Sequence, residues 1–290
     1  MITYFQAIVI GLIQGITELF PISSLGHSVL LPSLFGWHSV VAAQSDTESY
    51  FLAFLVGLHV ATALALLVFY RKQWARIIKG FFSSLGSRTI KTADQRLAWL
   101  LIIATIPAGL IGVIFEHKLR VIFAKPLYAA IFLVINGVIL LVGERMRNRD
   151  KSKRGDFSLG ATTTNLASLS FKEAVIIGTS QILAFFAGIS RSGITMVGGL
   201  WRGLDNEDAA RFSFLLATPI ILAAGVYKLH DLVGPNGTGV RGQILAGSLA
   251  AGLAAYVAVR FLDRFFRNNS LKPFAIYCLV FGTIMIAVIH

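Results

Sequence analysis

The sequence predicts an all-α polytopic membrane protein with an inverted-topology repeat, each half a re-entrant helical hairpin followed by three transmembrane helices. Three observations predict it. The chain of 290 residues is 56% hydrophobic and 14% charged, with a mean hydropathy of +0.73. Soluble domains carry about 25% charged residues, so too few polar groups remain here to cover a water-facing surface. Apolar runs near the length of a spanning helix, about 20 residues, recur along the chain. Two further apolar segments break at a polar turn before they can cross.

The first hairpin opens the chain. An apolar leg from Tyr4 to Phe20 meets Pro21 and then Ser-Ser-Leu-Gly-His, and a second leg runs from Ser28 to Trp37. At about 1.5 Å per residue that leg is too short for about 30 Å of hydrocarbon. Spanning runs follow at Phe51–Tyr70, Leu97–Phe115 and Leu127–Val142. The design then returns: Phe171–Phe186, the tip Ala-Gly-Ile-Ser-Arg-Ser-Gly, a short leg Ile194–Leu200, and runs at Phe212–Tyr227, Ile244–Val259 and Phe274–Ile289. Flanking residues or tilt absorb the shorter runs. Broken helices with polar tips are tolerated at membrane depth only where protein buries them or they line a cavity.

The two hairpins resemble each other. Shifted by 167 residues, Ala7, Ile10, Gly11, Gln14, Ile22, Ser23 and Gly26 fall on Ala174, Ile177, Gly178, Gln181, Ile189, Ser190 and Gly193. The single membrane domain, 1–290, therefore divides into a first repeat, 1–143, a basic linker, 144–172, and a second repeat, 173–290. Charge sets the orientation. Loops 71–96 and 144–172 hold 7 basic residues each, and their side of the chain holds 20 against 5 on the other. Basic loops stay in the cytoplasm, so the first hairpin enters from outside, the second from the cytoplasm, and both termini are extracytoplasmic. The formal charge of +12 thus reflects topology and not nucleic-acid binding. Cys278, the only cysteine, allows no disulfide or thiolate metal site. No basic stretch precedes the first apolar segment, so no cleaved signal peptide is expected.

Polar residues inside apolar protein are costly and mark function by default. Glu18 is the only acid in the first 45 residues, and Gln14 lies one turn before it; a helix-gluing pair is the plain alternative. Ser23 and Ser24 sit where a hydroxyl can cap the second leg. His27, three residues after Ser24, is placed to act as the base a serine nucleophile needs, with Glu18 to orient it or hold a cation. His59, in the first full span, reads as structural. The second tip offers Ser190, Arg191, Ser192, Gly193 and Thr195. A guanidinium fork suits phosphate oxygens, and glycine lets backbone N–H groups approach an anion. The plain alternative for Arg191 is a buried ion pair with Glu18, which would still set the two tips side by side. No Walker loop, zinc spacing or GxSxG elbow occurs.

At these tips the sequence resembles the undecaprenyl-diphosphate phosphatase family, also called the bacitracin-resistance proteins. The family motif of Glu or Gln, then Glu four residues on, running into Pro-Val-Ser-Ser-Thr-Gly-His, reads here Gln14-Gly-Ile-Thr-Glu18-Leu-Phe-Pro21-Ile-Ser23-Ser24-Leu-Gly26-His27. Its Pro-Gly-x-Ser-Arg-Ser-Gly-x-Thr reads Ala187-Gly188-Ile-Ser190-Arg191-Ser192-Gly193-Ile-Thr195. The resemblance extends over nearly the whole chain, including Phe212-Ser-Phe-Leu-Leu-Ala and Pro273-Phe-Ala-Ile-Tyr277. It implies hydrolysis of the terminal phosphate of a polyprenyl diphosphate in the bacterial plasma membrane, recycling the cell-wall lipid carrier. It implies Ser24 as nucleophile, His27 and Glu18 as acid–base and orienting groups, and diphosphate binding by Gln14, Ser23, Ser190, Arg191, Ser192, Gly193 and Thr195. Family members often respond to Mg²⁺ or Ca²⁺, for which Glu18 is the candidate ligand here, although no metal cage is legible. Gln14 replaces the commoner Glu, Leu25 replaces Thr and Ala187 replaces Pro; none removes a group the chemistry requires. Attack by His27 or by activated water stays open beside Ser24. The expected partners are the lipid substrate and the bilayer; a homodimer is compatible with the sequence. A rival reading is a lipid or anion transporter or flippase using the same midplane site. The Ser24, His27 and Glu18 set is more than binding requires and favours the enzyme.

Overall fold

The structure is a computed structural model, and it describes residues 2–44, 50–123, 125–154, 166–228, 234 and 239–289. All regular secondary structure among them is helical. Helix α1, Tyr4–Thr17, starts with a capping box in which Thr3 and Gln6 exchange side-chain and backbone bonds. After a turn, α2 spans Ser24–Leu34, and α3 spans His38–Gln44. Then come α4, Tyr50–Phe69, α5, Arg71–Ser87, α6, Ala93–Phe123, and α7, Pro126–Arg154. Pro126 stands at the first helical position, where its missing N–H costs nothing. In the second half, α8, Phe171–Ser180, runs into a 3₁₀ turn at Gln181–Phe185, followed by α9, Arg191–Trp201. The chain closes with α10, Asn206–Tyr227, α11, Arg241–Asn268, and α12, Lys272–Ile289.

Six helices among the described residues are long and apolar enough to cross a membrane: α4, α6, α7, α10, α11 and α12. They cover the six expected spanning runs, except that Tyr70 falls just past the end of α4. Segment 71–96, expected as a loop, is largely helical, because α5 continues to an Arg88 in the left-handed region (φ 51°). Likewise α7 carries the chain into the basic linker as far as Arg154; residues 155–165 of that linker lie outside the described residues, as do 45–49 between α3 and α4.

The surface explains why water cannot be the solvent. Leu245, Leu249, Leu253 and Val257, spaced four residues apart on α11, are all exposed, forming one apolar stripe. Inside, small residues let helices cross closely, as membrane packing favours. A Cβ on Gly11 of α1 would strike the carbonyl oxygen of Gly247 on α11, and one on Gly178 of α8 would strike that of Ala104 on α6. Gly11 and Gly178 are 167 residues apart, and the same offset relates other features. Ser170 and Glu173 form a capping box as Thr3 and Gln6 do. Ser23 and Ser190 each cap a short helix by accepting the N–H of a glycine three residues on, Gly26 at 3.2 Å and Gly193 at 3.1 Å. The two segments differ in their ends: α1 is helical to Thr17, whereas α8 gives way to a 3₁₀ turn at Gln181.

Candidate active site

The two turns meet in the interior. Asn136, fully buried on α7, donates to Pro21 O at 2.9 Å and accepts from Ser190 N at 2.9 Å, so one amide fastens both. Ser23 adopts φ 70°, ψ 101°, a region that costs a non-glycine residue on the order of 1–3 kcal/mol. Its surroundings hold it there: Oγ accepts from Gly26 N and from Gly188 N, each at 3.2 Å. Gly188, at φ 110°, has its own reason to be glycine, since a Cβ would meet Ala129 O. The kink at Ser23 makes Ser24 the first residue of α2 and turns its hydroxyl back toward the end of α1.

There it meets Glu18. The carboxylate is buried, so each of its oxygens needs partners. Oε2 accepts from Ser24 Oγ and from Gln14 Nε2 at 3.0 Å, and stands 3.4 Å from His59 Nε2; Oε1 accepts from Arg191 Nη2. Nucleophile candidate, carboxylate and guanidinium are thus joined in one cluster.

His27 is placed elsewhere. Its Nδ1 is 2.7 Å from Ser23 O, and Nε2 is 2.7 Å from the Tyr277 hydroxyl. A carbonyl only accepts, so Nδ1 carries the proton and Nε2 accepts from Tyr277. The ring also stacks on Tyr277 and Phe281, at 5.7 and 5.4 Å between centroids. Both nitrogens are therefore occupied, and Ser24 donates to Glu18 where the sequence pointed to His27.

The remaining expected residues divide. Ser23, Ser190 and Arg191 line a cavity of about 430 Å³ together with Glu18 and Ser24. Gln14, Ser192, Gly193 and Thr195 are not on its wall. Ser192 Oγ donates to Phe20 O at 3.2 Å, the Gly193 N–H is taken by Ser190 Oγ, and Thr195 Oγ1 donates to Arg191 O at 2.7 Å. These groups tie the second turn together and to the first. The cavity is lined mostly by apolar side chains and reaches the C-terminal end of α10, where Tyr227 and Lys228 line it.

Mg²⁺ and Ca²⁺ take about six or more oxygen ligands. Among the described residues Glu18 is the only carboxylate lining the cavity, and Arg191, His59, Ser24 and Gln14 already surround it. No group of three or more His, Cys, Asp or Glu side chains that could hold a metal occurs among the described residues. The residues present do not fit a resident divalent cation, and Glu18 serves as an ion-pair and hydrogen-bond partner.

The model of the family described as "Bacitracin resistance protein BacA" matches residues 7–284. The chain belongs to that family. Among its relatives in the family is Undecaprenyl-diphosphatase 2 of Frankia alni, 51% identical, with 98% of this chain and 97% of the relative covered. Undecaprenyl-diphosphatase of Mycolicibacterium paratuberculosis is 54% identical, covering 97% and 95%. That of Gluconacetobacter diazotrophicus is 45% identical, with the same coverage. Membership in the bacitracin resistance family extends over both turns and all six long helices.

Three residues of this family member make contacts at the site that the motif reading did not assign. Asn136 is a lone amide within the apolar run of α7, and that isolation was its signal. His59 sits in α4 in the same way. Tyr277 lies in the late apolar segment, and nothing local connects it to His27, 250 residues earlier.

Proposed function

We propose that this chain removes the terminal phosphate of undecaprenyl diphosphate, recycling the lipid carrier of cell-wall synthesis and so conferring bacitracin resistance. The names of its relatives support the substrate. One observation carries the chemistry: the Glu18 carboxylate receives the Ser24 hydroxyl and the Arg191 guanidinium at once, on the wall of a mostly apolar cavity. A nucleophile, its proton acceptor and a phosphate-binding cation are what a phosphomonoester-forming displacement needs.

The diphosphate enters with its tail along the apolar wall. Glu18 takes one arm of Arg191, and the other N–H groups of the fork bind phosphate oxygens and offset the charge of the transition state. Ser24 Oγ attacks the outer phosphorus as its proton passes to Glu18. The bond from that phosphorus to the bridging oxygen breaks, and polyprenyl monophosphate leaves with the proton. Water then attacks the phosphoserine, the phosphorus–Oγ bond breaks, and a proton from the water returns to Ser24 as phosphate departs. His27, fixed by Ser23 O and Tyr277, acts by positioning the Ser23–Ser24 kink. Ser190, Ser192, Gly193 and Thr195 shape the second turn so that Arg191 points into the cavity.

The membrane arrangement belongs to the same reading. The 167-residue offset that relates caps, glycines and turns supports an inverted repeat of two re-entrant hairpins, with halves 1–143 and 173–290. The basic bias supports a cytoplasmic linker at 144–172 and extracytoplasmic termini in the plasma membrane. The test is phosphate release by purified protein in detergent supplied with undecaprenyl diphosphate. Release is expected. Lipid translocation in vesicles without release would instead make the site that of a transporter.

A further inference from the structure

We propose that His59, on α4, is a catalytic residue of this site: it carries the Ser24 proton from Glu18 to the departing monophosphate. The inference rests on the hydrolase reading above and adds to it a group from a helix outside both turns.

Geometry carries it. His59 Nε2 stands 3.4 Å from Glu18 Oε2, the same oxygen that accepts from Ser24 Oγ. Its Nδ1 is 2.8 Å from Leu55 O, and because a carbonyl only accepts, Nδ1 keeps its proton and Nε2 is the nitrogen free to exchange one. The side chain is 30% exposed against 6% for Glu18, and it lines the cavity where the substrate must lie. Ser24, Glu18 and His59 thus form a line for proton movement from the buried turn to the open cavity. Arg191 holds the other carboxylate oxygen and leaves that line clear.

The chemistry asks for such a group. A carboxylate that faces a guanidinium is a weak base, and it cannot keep the Ser24 proton through the reaction. Imidazole both accepts and returns a proton near neutrality. His27 cannot serve, since Tyr277 and Ser23 occupy its two nitrogens. In the first step the proton moves from Ser24 Oγ through Glu18 to His59 Nε2, and then to the bridging oxygen as its bond to the outer phosphorus breaks. In the second step His59 takes a proton from the attacking water and passes it to Glu18, which hands it to Ser24 Oγ as the phosphorus–Oγ bond breaks. The cycle ends with each group as it began. Among the described residues, the other charged or titratable groups on the cavity wall are Arg191, Tyr227 and Lys228.

The experiment measures phosphate release by the full-length protein in detergent from two substrates. One is undecaprenyl diphosphate; the other is an alkyl-tailed 4-nitrophenyl phosphate, whose leaving group departs without a proton. His59→Gln is expected to lower kcat on the diphosphate about 100-fold, with KM changed far less, and to lose much less on the nitrophenyl substrate. His59→Ala is expected to recover with added imidazole, which a packing role would not allow. Equal losses on both substrates with no imidazole rescue, or a wild-type rate for His59→Gln, would overturn the role of His59. Wild-type release abolished by Ser24→Ala keeps the hydrolase reading in either case. A wild type that releases no phosphate from undecaprenyl diphosphate removes that reading and the role of His59 together.

Discussion

The guanidinium of Arg191 donates to the carboxylate of Glu18 across 173 residues of sequence. Each is mostly buried, so each charge depends on the other. Removing one partner of a buried pair costs about 3–5 kcal/mol, whereas replacing both by apolar groups is often neutral. Glu18→Leu and Arg191→Leu should each lower the melting temperature in detergent, and the double variant should recover most of the loss while staying inactive. A double variant no more stable than the worse single one would count against the pair as the link between the turns.

Arg191→Lys keeps the charge and loses the fork. Substrate affinity and turnover should both fall, because a point charge cannot hold Glu18 and two phosphate oxygens in one plane. Steady-state kinetics on undecaprenyl diphosphate reads both. A change in KM alone would make Arg191 a binding group without a part in the transition state.

Ser24→Ala should reduce turnover by more than about 10³-fold and leave lipid binding largely intact, since the hydroxyl donates to Glu18 and supports no other described contact. Equilibrium binding of the lipid and phosphate release are measured on the same preparation. A near-normal rate would mean that water attacks directly.

Asn136→Ala leaves the Pro21 carbonyl and the Ser190 N–H buried without this partner, at about 1–3 kcal/mol each. Both stability and kcat should fall, although Asn136 does not line the cavity. An unchanged rate would show that the turns align without it.

Orientation is tested by cysteine labelling in a Cys278→Ser background. Ser39 and Ser87 are both exposed, and the proposed topology puts Ser39 outside and Ser87 in the basic cytoplasmic segment. Ser39→Cys should react with an impermeant reagent from outside and Ser87→Cys should not. The reverse pattern would invert the topology.

Packing gives a separate check. Gly11→Ala and Gly178→Ala place a Cβ on a neighbouring carbonyl, Gly247 or Ala104, and both should destabilise the fold. Gly86→Ala in α5, with nothing within 4 Å, should be neutral or stabilise by about 0.5–1 kcal/mol. Thermal unfolding in detergent separates the three.

The sequence by itself determined the solvent, the six long helices and the two breaks. Composition and apolar run length are local properties, and Pro21, Gly188 and the serines interrupt the runs wherever the rest of the chain lies. It also marked Glu18, Ser24 and Arg191, because a polar group in an apolar segment is conspicuous without a partner in view. Only the tertiary structure decided who the partners are. Spacing put His27 near Ser24, but the rotation of α2 about its axis carries the imidazole to Tyr277 on α12 and leaves Ser24 to Glu18. His59 and Asn136 gained their places by the same means: each projects from a spanning helix that packs beside the turns, and such contacts are fixed by how helices cross, which no local pattern records.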